Sequence, residues 1–302
     1  MSIIKPKMLK PGNTIGVIAP ASPRAQDITE KYCKMLSSCG YNVLLGESSL
    51  ASNGYLAGSD KVRANDLMNM FENPEVNAVF CLRGGYGCTR ILEMIDFEII
   101  KNNPKIFLGF SDITALHNSI NRFCKLVTFH GPSVTNCQWG SYDFRFRECI
   151  RVLSGGNSYL KWKHEYNYKP VRGIICGGNL TLVESLIGTA YEVDVSDKIL
   201  LLEDVGEKNY SIDRRLNHLK MAGYFDKCRA VIFGQFTEGD DHIQDGNISV
   251  GQIIEDIVVP CGKPIMTGAM FGHIINNPTI PMGIAGYIKN HVLYTSSAVN
   301  AD

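Results

Sequence analysis

The sequence predicts an α/β protein: an N-terminal, mainly parallel sheet layered with helices, plus a smaller C-terminal α/β domain rich in strands. Three observations carry this. Short, continuously apolar runs alternate with helix-like segments through the first 130 residues, the pattern of strands buried on both faces. At 302 residues the chain is longer than one hydrophobic core usually sustains, since cores stop growing at about 250 to 300 residues. Between about Val134 and Pro170 the alternation gives way to a polar, aromatic-rich stretch. The expected division is an N-terminal domain over 1–153, a linker over 154–170 opening on Ser154-Gly155-Gly156-Asn157, and a C-terminal domain over 171–302.

The elements follow in order. Thr14 to Ala19 is a buried strand ended by Pro20, which removes a ladder donor. Ala25 to Cys39 is a helix closed by Gly40, and Tyr41 to Leu45 returns to strand. Asp60 to Phe71 is helical, Asn77 to Leu82 is a strand, and a Gly-rich turn leads into a helix near Cys88 to Met94. Lys105 to Phe110 is a strand, followed by a helix from Asp112 to about Phe123, and Tyr142 to Leu153 is a further helix. Gly177-Gly178-Asn179-Leu180 heads a helix running through Leu186. Downstream, Ile199–Leu202, Ala230–Phe233 and Ile265–Thr267 are strands, while Asp213–Met221 and Val250–Ile257 are helices. Ile284–Lys289 and His291–Thr295 around Asn290 make a closing β-hairpin.

Composition excludes several functions. Lys plus Arg equals Asp plus Glu at 30 each, and no long basic block exists, so nucleic acid is not an expected partner. No stretch reaches the roughly 18 apolar residues of a membrane span, and Met1 to Lys10 lacks the apolar core of a secretion signal, so no membrane partner and a cytoplasmic location are expected. The ten cysteines are scattered without a C-x-x-C pair, as reduced core thiols are. Neither H-E-x-x-H nor a zinc-type Cys/His spacing occurs, and both the dinucleotide and the P-loop fingerprints are missing. No metal or cofactor is expected.

Five segments can carry chemistry. In Ile106-Phe107-Leu108-Gly109-Phe110-Ser111-Asp112, an apolar strand runs through Gly and an aromatic residue into Ser-Asp and then a helix. A serine at such a turn is raised at the carboxyl edge of the sheet, as in a nucleophile elbow, although Ile113 replaces the second Gly of G-x-S-x-G. Equally, Ser111 or Asp112 caps the helix. Arg83-Gly84-Gly85-Tyr86-Gly87 follows a strand directly, so its backbone N–H groups either converge on an anion or oxyanion or make a tight turn.

The strand Ile199–Leu202 ends on Glu203, with Asp204 and Glu207 close behind. Such acids orient a histidine, hold a metal or form a solvated loop. His273, flanked by Gly272 just past the strand beginning at Ile265, is placed to face a cleft, with His130 as its main rival. Gly177-Gly178 either binds an anion at a helix N-terminus or allows close packing.

Taken together, LRGGYG, GFSDITALH, GGNLTLVESLIGT, LLEDVGE with Tyr210 and Asp213-Arg214 after it, GQFT and the late Gly272-His273 resemble the LD-carboxypeptidase family of serine peptidases. The resemblance runs from the strand near Val17 to Pro281-Met282-Gly283, where the family usually has Ile at the middle position. It implies a cytoplasmic hydrolase of murein recycling that is a homodimer; the family also holds the microcin C self-immunity peptidases. Position by position, it implies a triad of Ser111, His273 and Glu203, with an oxyanion hole from the backbone N–H of Asp112 and one from Gly84 or Gly85. The intact LEDVGE and GQFT segments are more similar to the murein-peptide branch, whose substrate is murein tetrapeptide.

A carboxypeptidase must also hold the terminal carboxylate, for which Arg83 or the backbone near Gly177 and Gly178 is the candidate. Other serine esterases or acyl hydrolases, cleavage of aminoacyl- or peptidyl-nucleotide conjugates, and a non-catalytic two-lobed binding protein are the competing expectations.

Overall fold

A computed structural model describes residues 2–133, 144–238 and 248–301. In chain order the elements are β1 (Thr14–Ile18), α1 (Gln26–Ser38), β2 (Asn42–Leu45), α2 (Asp60–Glu72), β3 (Val76–Cys81), α3 (Cys88–Ile91), α4 (Phe97–Asn102), β4 (Ile106–Gly109), α5 (Thr114–Cys124), β5 (Thr128–His130) and α6 (Phe144–Leu153). There follow β6 (Ser158–Lys161), β7 (His164–Tyr166), β8 (Val171–Asn179), α7 (Leu180–Ser185), β9 (Lys198–Val205), α8 (Asn209–Met221), α9 (Tyr224–Lys227) and β10 (Ala230–Thr237). The chain closes with α10 (Val250–Ile257), β11 (Ile265–Thr267), β12 (Ile280–Met282), β13 (Ala285–Lys289) and β14 (Val292–Thr295). Among the described residues, no helix is long and apolar enough to cross a membrane.

The chain forms two compact units. The first comprises Met1–Ser158 together with Pro278–Gly283 and Ser296–Asp302. Its six-stranded sheet has the order β12-β5-β4-β3-β1-β2, parallel throughout except for β12, which runs antiparallel to β5. Ile15, Val17, Ala78, Val79, Ile106 and Phe107 are all fully buried, which explains why these strands read as unbroken apolar runs. Because β1, β3, β4 and β5 are parallel, their carboxyl ends share one edge, and the loops there can meet one another.

The second unit comprises Tyr159–Asn277 and Ile284–Thr295. Its eight-stranded sheet has the order β6-β14-β13-β8-β9-β10-β11-β7, with β8 to β11 parallel and β7 and β13 antiparallel to their neighbours β11 and β8. The turn between β13 and β14 holds both Asn290 and His291 at positive φ, 52° and 60°. Two consecutive left-handed residues are what a two-residue type I′ hairpin needs.

Several expectations need correction. Residues 278–283 and 296–302 return to the first unit, since β12 completes its sheet by pairing with β5. The stretch 154–170 is not a plain linker, because β6 and β7 lie in it and edge the second sheet. Gly177 and Gly178 do not head a helix; they stand in β8, in register with Leu201 and Leu202 of β9. The helix begins only after Asn179, whose side chain accepts from the Leu182 N–H at 3.2 Å, and it stops at Ser185. The run of glycines hid this strand, as glycine supplies no apolar side chain to the alternation. α8 begins at Asn209 rather than Asp213, and α5 begins at Thr114 after a short 3₁₀ turn over Ser111–Ile113. Tyr142 and Asp143, expected to open a helix, lie outside the described residues; α6 runs from Phe144 to Leu153.

Candidate active site

In the first unit, β4 leads through Phe110 into the turn Ser111–Ile113. Ser111 has φ +67°, a left-handed conformation that costs a non-glycine residue roughly 1–2 kcal/mol. It does not cap α5, whose N-cap position is Ile113. The strained, half-buried serine at the end of a parallel strand has the backbone of a nucleophile elbow.

The glycine turn after β3 lies directly on it. A Cβ on Gly84 would fall 2.6 Å from Ser111 Cβ, 2.9 Å from its Oγ and 3.0 Å from the backbone N of Asp112, so only glycine fits. The turn is braced by two residues that sequence reading missed. Ser22 Oγ accepts from the Tyr86 N–H at 3.1 Å, and the buried Arg63 donates through one Nη to the carbonyls of Pro20 at 2.7 Å and Gly87 at 2.8 Å. Arg63 also pairs with Asp60, which in turn takes Arg90 at 2.7 Å. The only signal for Arg63 was an arginine on the buried face of α2, indistinguishable in sequence from a solvated one. Arg83 is half-buried and donates to the Pro23 carbonyl at 3.4 Å.

The buried carboxylate of Asp112 accepts from the Cys88 N–H at 2.7 Å, and burial pushes this carboxyl up despite that bond. Behind it, His117 is buried with Nε2 2.8 Å from the Gly109 carbonyl, and burial pulls the imidazole down to about 4 against the effect of that bond. The neutral ring therefore donates from Nε2 and holds the end of β4.

The sign of its pH effect follows. Between about 4 and the ordinary value near 6.5 the unfolded chain binds the proton that the folded chain refuses, so stability is full above that window and falls as pH drops through it. The full loss is about 3 kcal/mol. Urea unfolding at pH 7.5 and 4.5 should show His117→Gln losing less stability across the interval than the parent, and equal losses would refute the assignment.

In the second unit, Glu203 in β9 is fully buried, and its Oε2 lies 2.7 Å from Nδ1 of His273. With Nδ1 turned to a carboxylate, it carries the proton, which leaves Nε2 as the basic nitrogen. Burial lowers the His273 pKa, but the Glu203 hydrogen bond and the charges of Glu203, Asp204 and Glu238 outweigh it, so the net direction is up. Gly272, at φ +109°, makes the approach: a Cβ there would fall 2.6 Å from Glu203 Oε2. Its N–H donates to Asn277 Oδ1 at 3.0 Å, which fixes the loop. Asn277 carried no sequence signal. His130, the rival histidine, is buried in β5 with its ring edge-on to Phe110 at 5.8 Å between centroids.

The three acids left open by the sequence take separate partners. Asp204 accepts from Asn179 Nδ2 at 2.8 Å, from the Thr181 N–H at 3.0 Å and from Thr181 Oγ1 at 2.7 Å, and burial nonetheless raises its pKa. The protein's own carboxylate thus takes the Thr181 amide at the start of α7, and Gly177 and Gly178, left between anion binding and close packing, stand packed against β9. Glu207 pairs with Arg215 at 2.9 Å and accepts from Ser211 at 2.8 Å. Among the described residues, no group of three or more His, Cys, Asp or Glu is arranged to hold a metal ion.

Ser111 belongs to the first unit, and Glu203 and His273 to the second.

The chain is similar to known proteins in sequence and in fold. Residues 15–131 match the family model for the LD-carboxypeptidase N-terminal domain, and residues 172–288 that for its C-terminal domain. A probable murein peptide carboxypeptidase of Bacillus subtilis is 36% identical over 92% of this chain and 89% of its own. The crystal structure of a muramoyltetrapeptide carboxypeptidase from Oxalobacter formigenes superposes with a TM-score of 0.84 at 27% identity, over 93% of this chain and 97% of the other. The microcin C7 self immunity protein MccF has a TM-score of 0.86 over 98% of this chain and all of its own, at 21% identity. At that identity the likeness speaks for the fold alone.

Proposed function

The chain belongs to the LD-carboxypeptidase family of serine peptidases, and from that premise we propose that it hydrolyses the terminal L,D peptide bond of murein tetrapeptide and releases D-alanine. Ser111 is the nucleophile, His273 the general base and Glu203 the residue that orients it. The observation that carries the reading is the 2.7 Å bond between a fully buried carboxylate and Nδ1 of a partly exposed histidine, the support a catalytic imidazole requires. The strained turn at Ser111 supports it from the other unit.

The chemistry follows from acyl transfer. His273 Nε2 takes the Ser111 hydroxyl proton as Oγ bonds to the scissile carbonyl carbon, and Glu203 stabilises the resulting imidazolium. The backbone N–H of Asp112 and one from Gly84 or Gly85 hold the tetrahedral oxyanion; both lie in the turns packed together at Ser111. The intermediate collapses as the imidazolium gives its proton to the leaving D-alanine nitrogen. Water then attacks the acyl-serine, with His273 again removing and returning one proton. These steps use the chain's own residues. A cytoplasmic homodimer is part of the same reading, and the absence of a disulfide among the described cysteines suits a reducing compartment.

The stronger identity to a murein peptide carboxypeptidase than to MccF favours the murein substrate over a nucleotide conjugate. Wild-type protein incubated with murein tetrapeptide in the presence of a chelator should release D-alanine, while the same peptide amidated at its C-terminus should be spared. Release from both would indicate a general acyl hydrolase. Turnover of an aminoacyl-nucleotide analogue alone would move the activity to the immunity branch.

A further inference from the structure

β1 and β3 are adjacent and parallel, with Ile18 opposite Cys81, so the segments leaving them emerge at one edge of the sheet. The segment after β1 carries Arg24 and the segment after β3 carries Arg83. Arg83 reaches across to donate to the Pro23 carbonyl, one residue before Arg24, at 3.4 Å. Both belong to the pair of loops that frame Ser111. Ser22 Oγ takes the Tyr86 N–H, the Ser22 N–H reaches the Gly84 carbonyl at 3.4 Å, and Gly84 touches Ser111.

Arg63, Arg90, Arg151, Arg215 and Arg229 each sit in an ion pair with an acid. Arg24 and Arg83 form none among the described residues; Arg24 has its Nε shielded from solvent without a hydrogen-bond partner. Burial lowers the Arg24 pKa, the neighbouring charge of Arg83 lowers it further, and Asp27 opposes this least of the three. Two neighbouring guanidinium groups, neither in ion-pair contact with an acid among the described residues, favour an anion beside them.

We infer that Arg24 and Arg83 together form the subsite for the free terminal carboxylate of the peptide, on the loops that frame Ser111. The inference rests on the peptidase reading for the identity of the peptide, and it adds Arg24, which nothing in the sequence marked. A planar carboxylate matches a guanidinium fork, and two forks give it charge and direction where a single arginine supplies one. The subsite explains how a serine hydrolase becomes an exopeptidase: only a peptide ending at this carboxylate has both the anion bound and the last peptide bond presented.

The test separates binding from turnover. In a Ser111→Ala background, calorimetry with murein tetrapeptide and with its C-terminal amide should show the acid binding at least about tenfold tighter, the scale of a lost charged hydrogen bond. Adding Arg24→Ala should erase that preference, adding Arg83→Ala should do the same, and Arg24→Lys should restore part of it, since an ammonium keeps charge but loses the fork. Arg24→Gln serves should the alanine variant fail to fold, as judged by its thermal midpoint. Equal binding of acid and amide, no binding of either, or a preference that survives loss of Arg24 in folded protein would overturn the inference. The peptidase reading fails differently: a carboxylate preference without D-alanine release by the enzyme with Ser111 intact would remove the reaction and leave the subsite.

Discussion

Ser111→Ala is expected to lower kcat on murein tetrapeptide by on the order of a millionfold while leaving the protein folded, because losing the nucleophile of a triad removes the covalent route altogether. The backbone makes the prediction sharper. Alanine at φ +67° carries the same strain as serine, so Ser111→Ala should have a thermal midpoint near that of the wild type. Glycine does not pay that strain. Ser111→Gly should therefore be equally inactive yet more stable by roughly 1 kcal/mol, offset in part by the extra freedom of its unfolded chain. Retention of more than a hundredth of the activity by either variant would remove Ser111 as nucleophile. Loss of activity with loss of folding in both would show that the strain reading is wrong.

Glu203→Gln should cost about 10⁴ in kcat, because an amide oxygen or nitrogen at Nδ1 no longer selects the tautomer that leaves Nε2 basic. Its pH profile gives a second readout. In wild type, kcat/KM should rise with pH through the His273 pKa, which lies above the ordinary 6.5 because the acids around the ring outweigh its burial. Taking away the Glu203 charge leaves burial less opposed, so the acidic limb in Glu203→Gln should shift to lower pH. Activity lost with an unshifted limb would mean that Glu203 supports the fold rather than the imidazole. The buried, fully desolvated position of Glu203 makes Glu203→Gln preferable to Glu203→Ala, which would also open a cavity beside Gly272.

Much of the first unit was legible because its strands are buried on both faces and read as unbroken apolar runs, as in Ile106–Leu108. The same logic marked Ser111 just past β4, whereas Glu203, expected to end its strand, lies buried inside β9, which continues to Val205. Strands without that signal were lost: β8 carries three glycines, and β6, β7 and β12 are three or four residues long. The return of 278–283 to the first sheet was hidden for a different reason, because antiparallel pairing of β12 with β5 joins residues about 150 positions apart.

The sequence by itself determined the layered α/β class, the polar residues that follow its apolar runs and the family resemblance they carry. All of these are local patterns of residue type and order. Tertiary structure alone decided how the acids were divided, with Glu203 going to His273, Asp204 to the start of α7 and Glu207 to Arg215. It also decided that Arg63 braces the glycine turn, that Gly84 lies against Ser111, and that the charge of Arg83 acts on Arg24. The physical reason is range. Hydrophobic period and strand ends are written within a few residues, whereas a hydrogen bond or ion pair between distant segments depends on where sheet register brings two side chains, and side chains of the same type elsewhere in the chain have the same local sequence chemistry.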